Sequence, residues 1–215
     1  AGHGSFNYST TAASSAHTGS VSVGYKAGQN ATGSYNTFVG FEAGKGASSN
    51  TTSGENNVAI GKNAMKAFTS GYSMVAIGKD AGQATTEGTY NVAIGVDALA
   101  TNIDGDAQVA IGYEALKTSE PANGVTYNVA VGYQAAKANT TGTGTVAVGY
   151  QALTANTTGE NNTAVGYKTM YLNTTASYNT ALGYMALYNN TTASYNTAVG
   201  YSALYSNTTG TDNTG

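Results

Sequence analysis

Cysteine is absent from this chain of 215 residues, and so is tryptophan. Without cysteine there is no disulfide framework, and no thiolate can serve as a nucleophile or metal ligand. No apolar run approaches the roughly 18 residues that a membrane-spanning helix requires. We therefore expect no membrane insertion by this segment.

Charge is also scarce. Asp, Glu, Lys and Arg make up 9% of the residues, whereas a typical soluble domain has about 25%. A net charge of -3 is too small to indicate nucleic acid as a partner. So biased a composition is typical of disorder, but 40% of the residues are hydrophobic and they recur at a fixed phase. We therefore expect an ordered repeat protein without a nucleic-acid partner.

A glycine that follows a short apolar triplet recurs along the whole chain. These marker glycines are Gly24, Gly40, Gly61, Gly78, Gly95, Gly112, Gly132, Gly149, Gly166, Gly183 and Gly200. Successive markers are 16, 21, 17, 17, 17, 20, 17, 17, 17 and 17 residues apart. The two long intervals contain loop inserts near 45–52 and 118–126, which are tolerated where a repeat crosses the surface. We predict a repeat domain over 21–215, preceded by an irregular segment or atypical capping coil over 1–20.

Within each unit, apolar residues alternate with the period of a β-strand. The residue before each marker is aliphatic, and alanine stands two before it in nine of the eleven units. The aliphatic residues are Val23, Val39, Ile60, Ile77, Ile94, Ile111, Val131, Val148, Val165, Leu182 and Val199. A period of two and β-branched side chains favour a strand over a helix. We expect these aliphatic residues to form the buried core.

The rest of the unit predicts a corner after the glycine, a second short strand, and a polar Asn-Thr-Thr turn. The economical fold is all-β: a parallel β-roll or β-solenoid of about eleven 17-residue coils, stacked about 4.8 Å apart. Such a thin coil encloses few apolar side chains. Each buried apolar side chain contributes about 1.5–3 kcal/mol, against about 1–2 kcal/mol of backbone entropy per ordered residue. We therefore expect copies of the chain to associate through the small Ala and Gly face or the tyrosine-bearing edge, as a homotrimer.

Several units resemble a known family. "NNVAIGKNAM" (Asn56–Met65), "NVAIGVDAL" (Asn91–Leu99) and "NTAVGYSAL" (Asn196–Leu204) resemble the head repeats of trimeric autotransporter adhesins. The longer unit, of the type NTAVGYxAL…NTTG, is similar to repeats in bacteriophage tail-fibre proteins. The resemblance extends from about Val21 to Asn213. It implies a left-handed roll, three chains around one axis, and a role in attachment.

The chain also departs from these families. Adhesin heads use a shorter repeat, so the Asn-Thr-Thr turn is extra, and no stalk heptads, membrane anchor or chaperone domain are present in the sequence. We expect a fragment of a longer fibre, located in a virion tail fibre or at the extracellular or cell surface. A host-surface receptor or glycan is the expected partner class, without a recognisable identity.

Catalysis and metal binding have little support. The two histidines are His3 and His17, and no orienting acid for a Ser-His-Asp arrangement is identifiable, so we expect no enzyme and no cofactor. A carboxylate row, two residues after consecutive markers, is a weak candidate for Ca²⁺ binding. Its members are Asp80, Asp97 and Glu114. Because the glycine–aspartate nonapeptides of calcium-binding rolls are absent, we favour a solvated charged edge.

Tyrosine recurs one residue after the marker in the later units. This predicted ladder comprises Tyr113, Tyr133, Tyr150, Tyr167, Tyr184 and Tyr201. A second row contains Tyr127, Tyr178 and Tyr195. Stacked rings at a structural seam are one interpretation, and a recognition strip for sugar or protein is the other. We favour the structural one.

The Asn-Thr-Thr turns match the N-glycosylation pattern, although Asn and Thr are also ordinary turn residues. The five asparagines are Asn139, Asn156, Asn173, Asn190 and Asn207. The threonine that follows each of them repeats at the coil pitch, which raises ice or surface binding as an alternative function. A self-assembling extracellular filament is a further alternative. The leading hypothesis is a shaft or head segment of a trimeric attachment fibre.

Overall fold

A computed structural model describes residues 18–47, 52–120 and 124–215. Strands, turns and bends make up these residues, with no helix among them. The strands are β1 (Val21–Val23), β2 (Thr37–Val39), β3 (Val58–Ile60), β4 (Val75–Ile77), β5 (Val92–Ile94), β6 (Gly105–Asp106), β7 (Val109–Ile111), β8 (Gly124–Val125), β9 (Val129–Val131), β10 (Val146–Val148), β11 (Thr163–Val165), β12 (Thr180–Leu182) and β13 (Thr197–Val199).

Eleven of these strands form one parallel sheet in chain order, β1-β2-β3-β4-β5-β7-β9-β10-β11-β12-β13. Equivalent residues of successive coils are paired, so Ala147 lies between Ala130 and Ala164. The predicted all-β solenoid with a repeat of about 17 residues is therefore confirmed. The left-handed winding and the homotrimer stay predictions.

The loop inserts leave this register intact. Ile111 pairs with Val131 across the 20-residue interval just as other neighbours pair across 17. Part of the second insert is structured, because β8 pairs in parallel with β6. The remaining insert residues 48–51 and 121–123 lie outside the described residues. So does the N-terminal segment 1–17, with both histidines.

The prediction of a second strand after the corner is wrong. In place of a strand, the backbone has positive φ at the second and fourth residues after each marker, as at Gln151 (φ 53°) and Leu153 (φ 53°). These angles lie outside the β region. The amide of Gln151 donates to Tyr133 O in the coil before at 2.8 Å, whereas that of Leu153 donates to Thr169 O in the coil after at 2.9 Å. The segment is thus bonded into the stack on both sides without being a strand.

Alanine, not the larger aliphatic residue, forms the buried spine. The strand alanines, such as Ala59 and Ala147, are fully buried, and so is the leucine or methionine four after the marker, such as Leu153. The narrow interior accepts a methyl group between the strand and that larger side chain. Because strand residues alternate between faces, burying the alanine turns its larger neighbours outward.

The predicted core residues therefore lie on the outside of the chain. Ile60 is 38% exposed and Val199 is 59% exposed. None of the eleven is buried: Val23, Val39, Ile60, Ile77, Ile94, Ile111, Val131, Val148, Val165, Leu182 and Val199. The prediction that the alanine face packs against other copies is wrong for the same reason, since that face lines the interior of the chain's own coil.

Two asparagine ladders satisfy polar groups inside the coil. The strand-side ladder stands four residues before the marker. Its member Asn162 donates through Nδ2 to Ala176 O across the coil at 2.7 Å and accepts at Oδ1 from the amide of Asn179 at 3.0 Å. The ladder comprises Asn36, Asn57, Asn91, Asn128, Asn162, Asn179 and Asn196. Each such side chain except Asn196 ties both ends of one coil together and caps the next strand; Asn196 donates instead to Ala193 O and Ser194 O, just before it in the chain.

The turn ladder is formed by the asparagines of the Asn-Thr-Thr turns. Asn156 donates through Nδ2 to Asn139 Oδ1 at 2.7 Å and to Gly159 O at 2.9 Å. The same side-chain link continues to Asn173, Asn190 and Asn207. Since buried polar groups are costly unless hydrogen-bonded, the ladders explain why asparagine is tolerated in so narrow a core.

The marker position accepts only glycine for two separate reasons. Its φ lies between 130° and 137° at every marker, a conformation that residues with a Cβ rarely adopt. A Cβ at Gly78 would also lie 2.5 Å from Gly95 O in the next coil. The backbones of neighbouring coils are therefore in direct contact at this corner.

We predict that Gly78→Ala strongly lowers the free energy of unfolding. Backbone strain costs about 1–3 kcal/mol, and the overlap with Gly95 O adds about 1–3 kcal/mol. Gly200→Ala is the matched control, because Gly200 has φ 132° but no atom lies within 4 Å of the point that a Cβ there would occupy. Denaturant titrations should show the larger loss for Gly78→Ala; equal losses would contradict the close approach of the coils.

Asn162→Leu should also destabilise the fold, because it leaves the Asn179 amide without its partner and Ala176 O with only the longer hydrogen bond from Asn173 Nδ2 at 3.2 Å. Each unpaired buried group costs about 1–3 kcal/mol. Asn189→Leu makes the same chemical change at a half-buried position outside both ladders. A comparable melting temperature for the two variants would contradict a stabilising role for the strand-side ladder.

Candidate functional site

The outer surface of the eleven-stranded sheet is largely apolar: its positions hold Val, Ile or Leu, apart from the threonines Thr37, Thr163, Thr180 and Thr197. Each strand turns its first and third residues outward, as Val146 and Val148 do in β10, and Thr180 and Leu182 in β12. We call this surface, built from the first and third residues of the eleven strands of the main sheet, the apolar face. No charged residue occupies any of its positions.

Tyrosines border the apolar face over much of its length. Tyr150 follows the marker glycine directly and is 43% exposed, and Tyr178 precedes its strand by two residues. Lys62 and Lys79 are the charged residues among the described positions that directly follow a marker. The exposed large hydrophobic residues of the chain are therefore concentrated on and beside one side of the solenoid.

The face is a sizeable patch for a surface left in water. Eleven strands about 4.8 Å apart and three residues wide cover about 50 Å by 10 Å, or about 500 Å². This is near the upper end of the range of about 300–600 Å² for the largest apolar patch on a typical monomer, and such a patch is often functional. The apolar face is the candidate functional site.

The long tyrosine ladder exists as predicted from the spacing. Neighbouring ring centroids are 4.9–5.2 Å apart, and the ring planes are within 19° of parallel. The ladder runs through Tyr113, Tyr133, Tyr150, Tyr167, Tyr184 and Tyr201. Because most ring faces are covered by the next ring, the ladder presents ring edges and hydroxyls to solvent. A role in recognition or at an interface stays a prediction.

The other tyrosine rows are shorter. Tyr178 and Tyr195 stack at 5.2 Å, whereas Tyr127 has no ring partner within the described part of the chain. Sequence reasoning missed a third ladder, formed by Tyr171, Tyr188 and Tyr205 at 5.2 Å. Its signal was present in the sequence, since the three residues share one phase five residues after the marker.

The carboxylates of the row form ion pairs with lysines and accept hydrogen bonds from side-chain amides. Glu114 accepts from Lys117 and Lys137, each at 2.7 Å, and from Gln134 at 2.8 Å. These hydrogen bonds, that from Lys117 foremost, lower the pKa of Glu114 from 4.5 to about 2. Sequence reasoning missed Lys117 and Lys137, although both stand five residues after a marker.

The other two members of the row are also paired. Lys117 reaches Asp97 at 3.2 Å, and Asp80 is held by Lys79 at 2.7 Å and by Asn63 at 2.8 Å. Over 18–47, 52–120 and 124–215, no group of three or more His, Asp or Glu side chains is arranged to hold a metal ion. The geometry is that of an ion-paired edge.

The asparagine and first threonine side chains of the Asn-Thr-Thr turns are hydrogen-bonded to neighbouring coils. Asn139, Asn156, Asn173 and Asn190 are fully buried, which keeps their amides from a glycosylating enzyme in the folded chain. The first threonine of the turn also donates along the stack, as Thr157 Oγ1 does to Thr174 O at 3.1 Å. The ice-binding hypothesis relied on this threonine row as an open array, and the geometry does not favour it.

Comparisons with protein-family models, with curated proteins and with solved structures found no match to this chain. Within the described ranges, no helix is long and apolar enough to cross a membrane.

The Glu114 cluster predicts a defined pH dependence. Because the folded pKa is lowered from 4.5 to about 2, the carboxylate stabilises the fold above pH 4.5, and this stabilisation is lost as the pH falls through 2. Glu114→Gln should lower the free energy of unfolding at pH 7, and the difference from the parent chain should disappear by about pH 2. Glu160→Gln, at an exposed glutamate, is the control. A difference that does not depend on pH would contradict the assigned ion pairs.

Proposed function

We propose that this chain is a segment of a homotrimeric attachment fibre, a phage tail fibre or a bacterial surface adhesin, in which three copies bury their apolar faces around a common axis. The observation that carries the proposal is the uncharged outer surface of the eleven-stranded sheet. The apolar face covers about 500 Å² per chain, compared with the roughly 800 Å² per partner of a standard stable interface.

The repeat favours association between identical chains. Every copy presents aliphatic residues at the same rise per coil, so two apolar faces side by side can stay in register along their whole length. The inserts do not disturb this match, because Ile111 and Val131 remain paired across one of them. The resemblance to trimeric adhesin heads and tail-fibre repeats is the reason for choosing three chains.

In this proposal the repeats act mechanically, as a stiff rod that sets the length of the fibre. Eleven coils about 4.8 Å apart form a rod about 50 Å long; neighbouring coils are hydrogen-bonded through their backbones, and asparagine and tyrosine ladders reinforce many of these contacts. A rod of this kind holds a receptor-binding tip away from the surface to which the fibre is anchored. In this proposal the repeats act as shaft or head on a virion or cell surface, and the partner is a host-surface receptor or glycan.

Sedimentation equilibrium of the full chain tests the proposal. A trimer should have three times the 21.6 kDa chain mass. Val148→Glu places a charge on the half-buried apolar face, whereas Thr158→Glu places the same charge at an exposed turn position of the same coil. We expect Val148→Glu to give monomers that keep their β-sheet circular dichroism, and Thr158→Glu to leave the trimer intact.

A parent chain that is monomeric at micromolar concentration would contradict the proposal. Open-ended assemblies of growing mass would favour the filament alternative. A trimer that Val148→Glu leaves unchanged would show that the chains associate through a surface other than the apolar face.

A further inference from the structure

The long tyrosine ladder combines close stacking, partial exposure and in-register alignment, which together favour a reaction between neighbouring phenols. In its central part, Tyr133, Tyr150, Tyr167 and Tyr184 have ring centroids 5.1–5.2 Å apart and ring planes within 9° of parallel. Each of these rings is about two-fifths exposed. Since equivalent residues lie in register, the carbon atoms beside each hydroxyl lie next to the same atoms of the neighbouring ring.

We propose that this ladder is a site of oxidative cross-linking, at which neighbouring tyrosines of one chain are joined as dityrosine. The chain has no cysteine, so disulfides cannot connect its coils covalently. Tyrosines stacked 17 residues apart offer the alternative. The inference concerns neighbours within one chain, so it goes beyond the proposed function and does not depend on the number of chains in the assembly.

The oxidant belongs to the class of haem peroxidases acting with hydrogen peroxide. Each phenol loses one electron and one proton to give a tyrosyl radical. Two adjacent radicals join through the ring carbons beside their hydroxyls, and each of those carbons then gives up its hydrogen to the neighbouring oxygen, which restores both phenols. For one new carbon–carbon bond, two hydrogen atoms leave the protein and one peroxide is reduced to two waters.

The product would join successive coils along the axis of the rod. A bond between Tyr133 and Tyr150, or between Tyr150 and Tyr167, closes a loop of one repeat. Cross-links of this kind restrict the unfolded chain more than the folded one. Because the rings are already adjacent in the folded chain, coupling requires only side-chain rotation.

Geometry and exposure make different predictions about which tyrosines react. Tyr127 is 68% exposed and Tyr35 is 57% exposed, both more than any ring in the central ladder. Neither has a ring partner within the described part of the chain. If accessibility decided the outcome, these two would couple at least as readily as Tyr150; if stacking decides it, they remain largely unlinked.

The experiment treats the dilute full chain with a haem peroxidase and limiting hydrogen peroxide, followed by proteolysis and mass spectrometry of the linked peptides. A mixture of ¹⁵N-labelled and unlabelled chain distinguishes links within a chain from links between chains. We expect links mainly within one chain and between stacked rings: Tyr133 with Tyr150, Tyr150 with Tyr167, Tyr167 with Tyr184, and the exposed stacked pair Tyr178 with Tyr195. The oxidised chain should also melt at a higher temperature than the untreated one.

Tyr150→Phe keeps the stacked ring and removes the phenol, so the fold should be preserved. This variant should lose both links made by Tyr150 and keep the one between Tyr167 and Tyr184. Tyr127→Phe is the matched control and should leave the product pattern unchanged. Links distributed according to exposure, or mainly between chains, would overturn the proposal. So would a Tyr150→Phe variant that gives the parent's total yield from tyrosines that have no stacked neighbour.

Discussion

Within the described coils, each residue of the repeat is held against its counterpart in the next coil, and the remaining features follow from that constraint. Like charges placed opposite one another destabilise a sheet, whereas aromatic and β-branched pairs stabilise it. The long rows are accordingly built from Ala, Val, Ile, Asn, Thr and Tyr, and the charged residues that do recur, at Glu114 and Asp97, are paired with Lys117. At the marker glycines from Gly24 to Gly183 the backbones of two coils approach so closely that a Cβ cannot be accommodated.

Periodicity was enough to predict the solenoid, because an in-register stack repeats its pattern from coil to coil. It could not predict which side of the strand faces inward. Val146, Ala147 and Val148 are all apolar. Both sides of the strand therefore carry apolar residues, and no polar side indicates which one faces the solvent. Side-chain size favoured the valines as core, whereas in nine of the eleven strands the narrow interior takes the alanine, and in β2 it takes Phe38 opposite Gly44. The positive φ of Leu153 likewise has no signature in residue type, which is why the predicted second strand was wrong.

The candidate site could be predicted in part for similar reasons. Tyr133 and Tyr150 share a phase, so their stacking followed directly from the register. The ion pairs of Glu114 did not follow from the register in the same way. Lys137 belongs to the next coil and stands at a different position of the repeat from Glu114, so the two residues do not lie directly opposite each other. The apolar face became visible only once the alanines were placed inside. Its extent then suggested association, and the exposed ladder beside it suggested cross-linking.

The buried alanine spine is the central claim, and methyl NMR tests it most directly. In a chain labelled with ¹³C at alanine methyls, the account predicts nuclear Overhauser contacts connecting Ala130, Ala147, Ala164 and Ala181 in sequence, with all four methyl groups protected from a soluble paramagnetic probe. Absence of contacts between alanines one repeat apart, or strong broadening of their methyl signals by the probe, would contradict it.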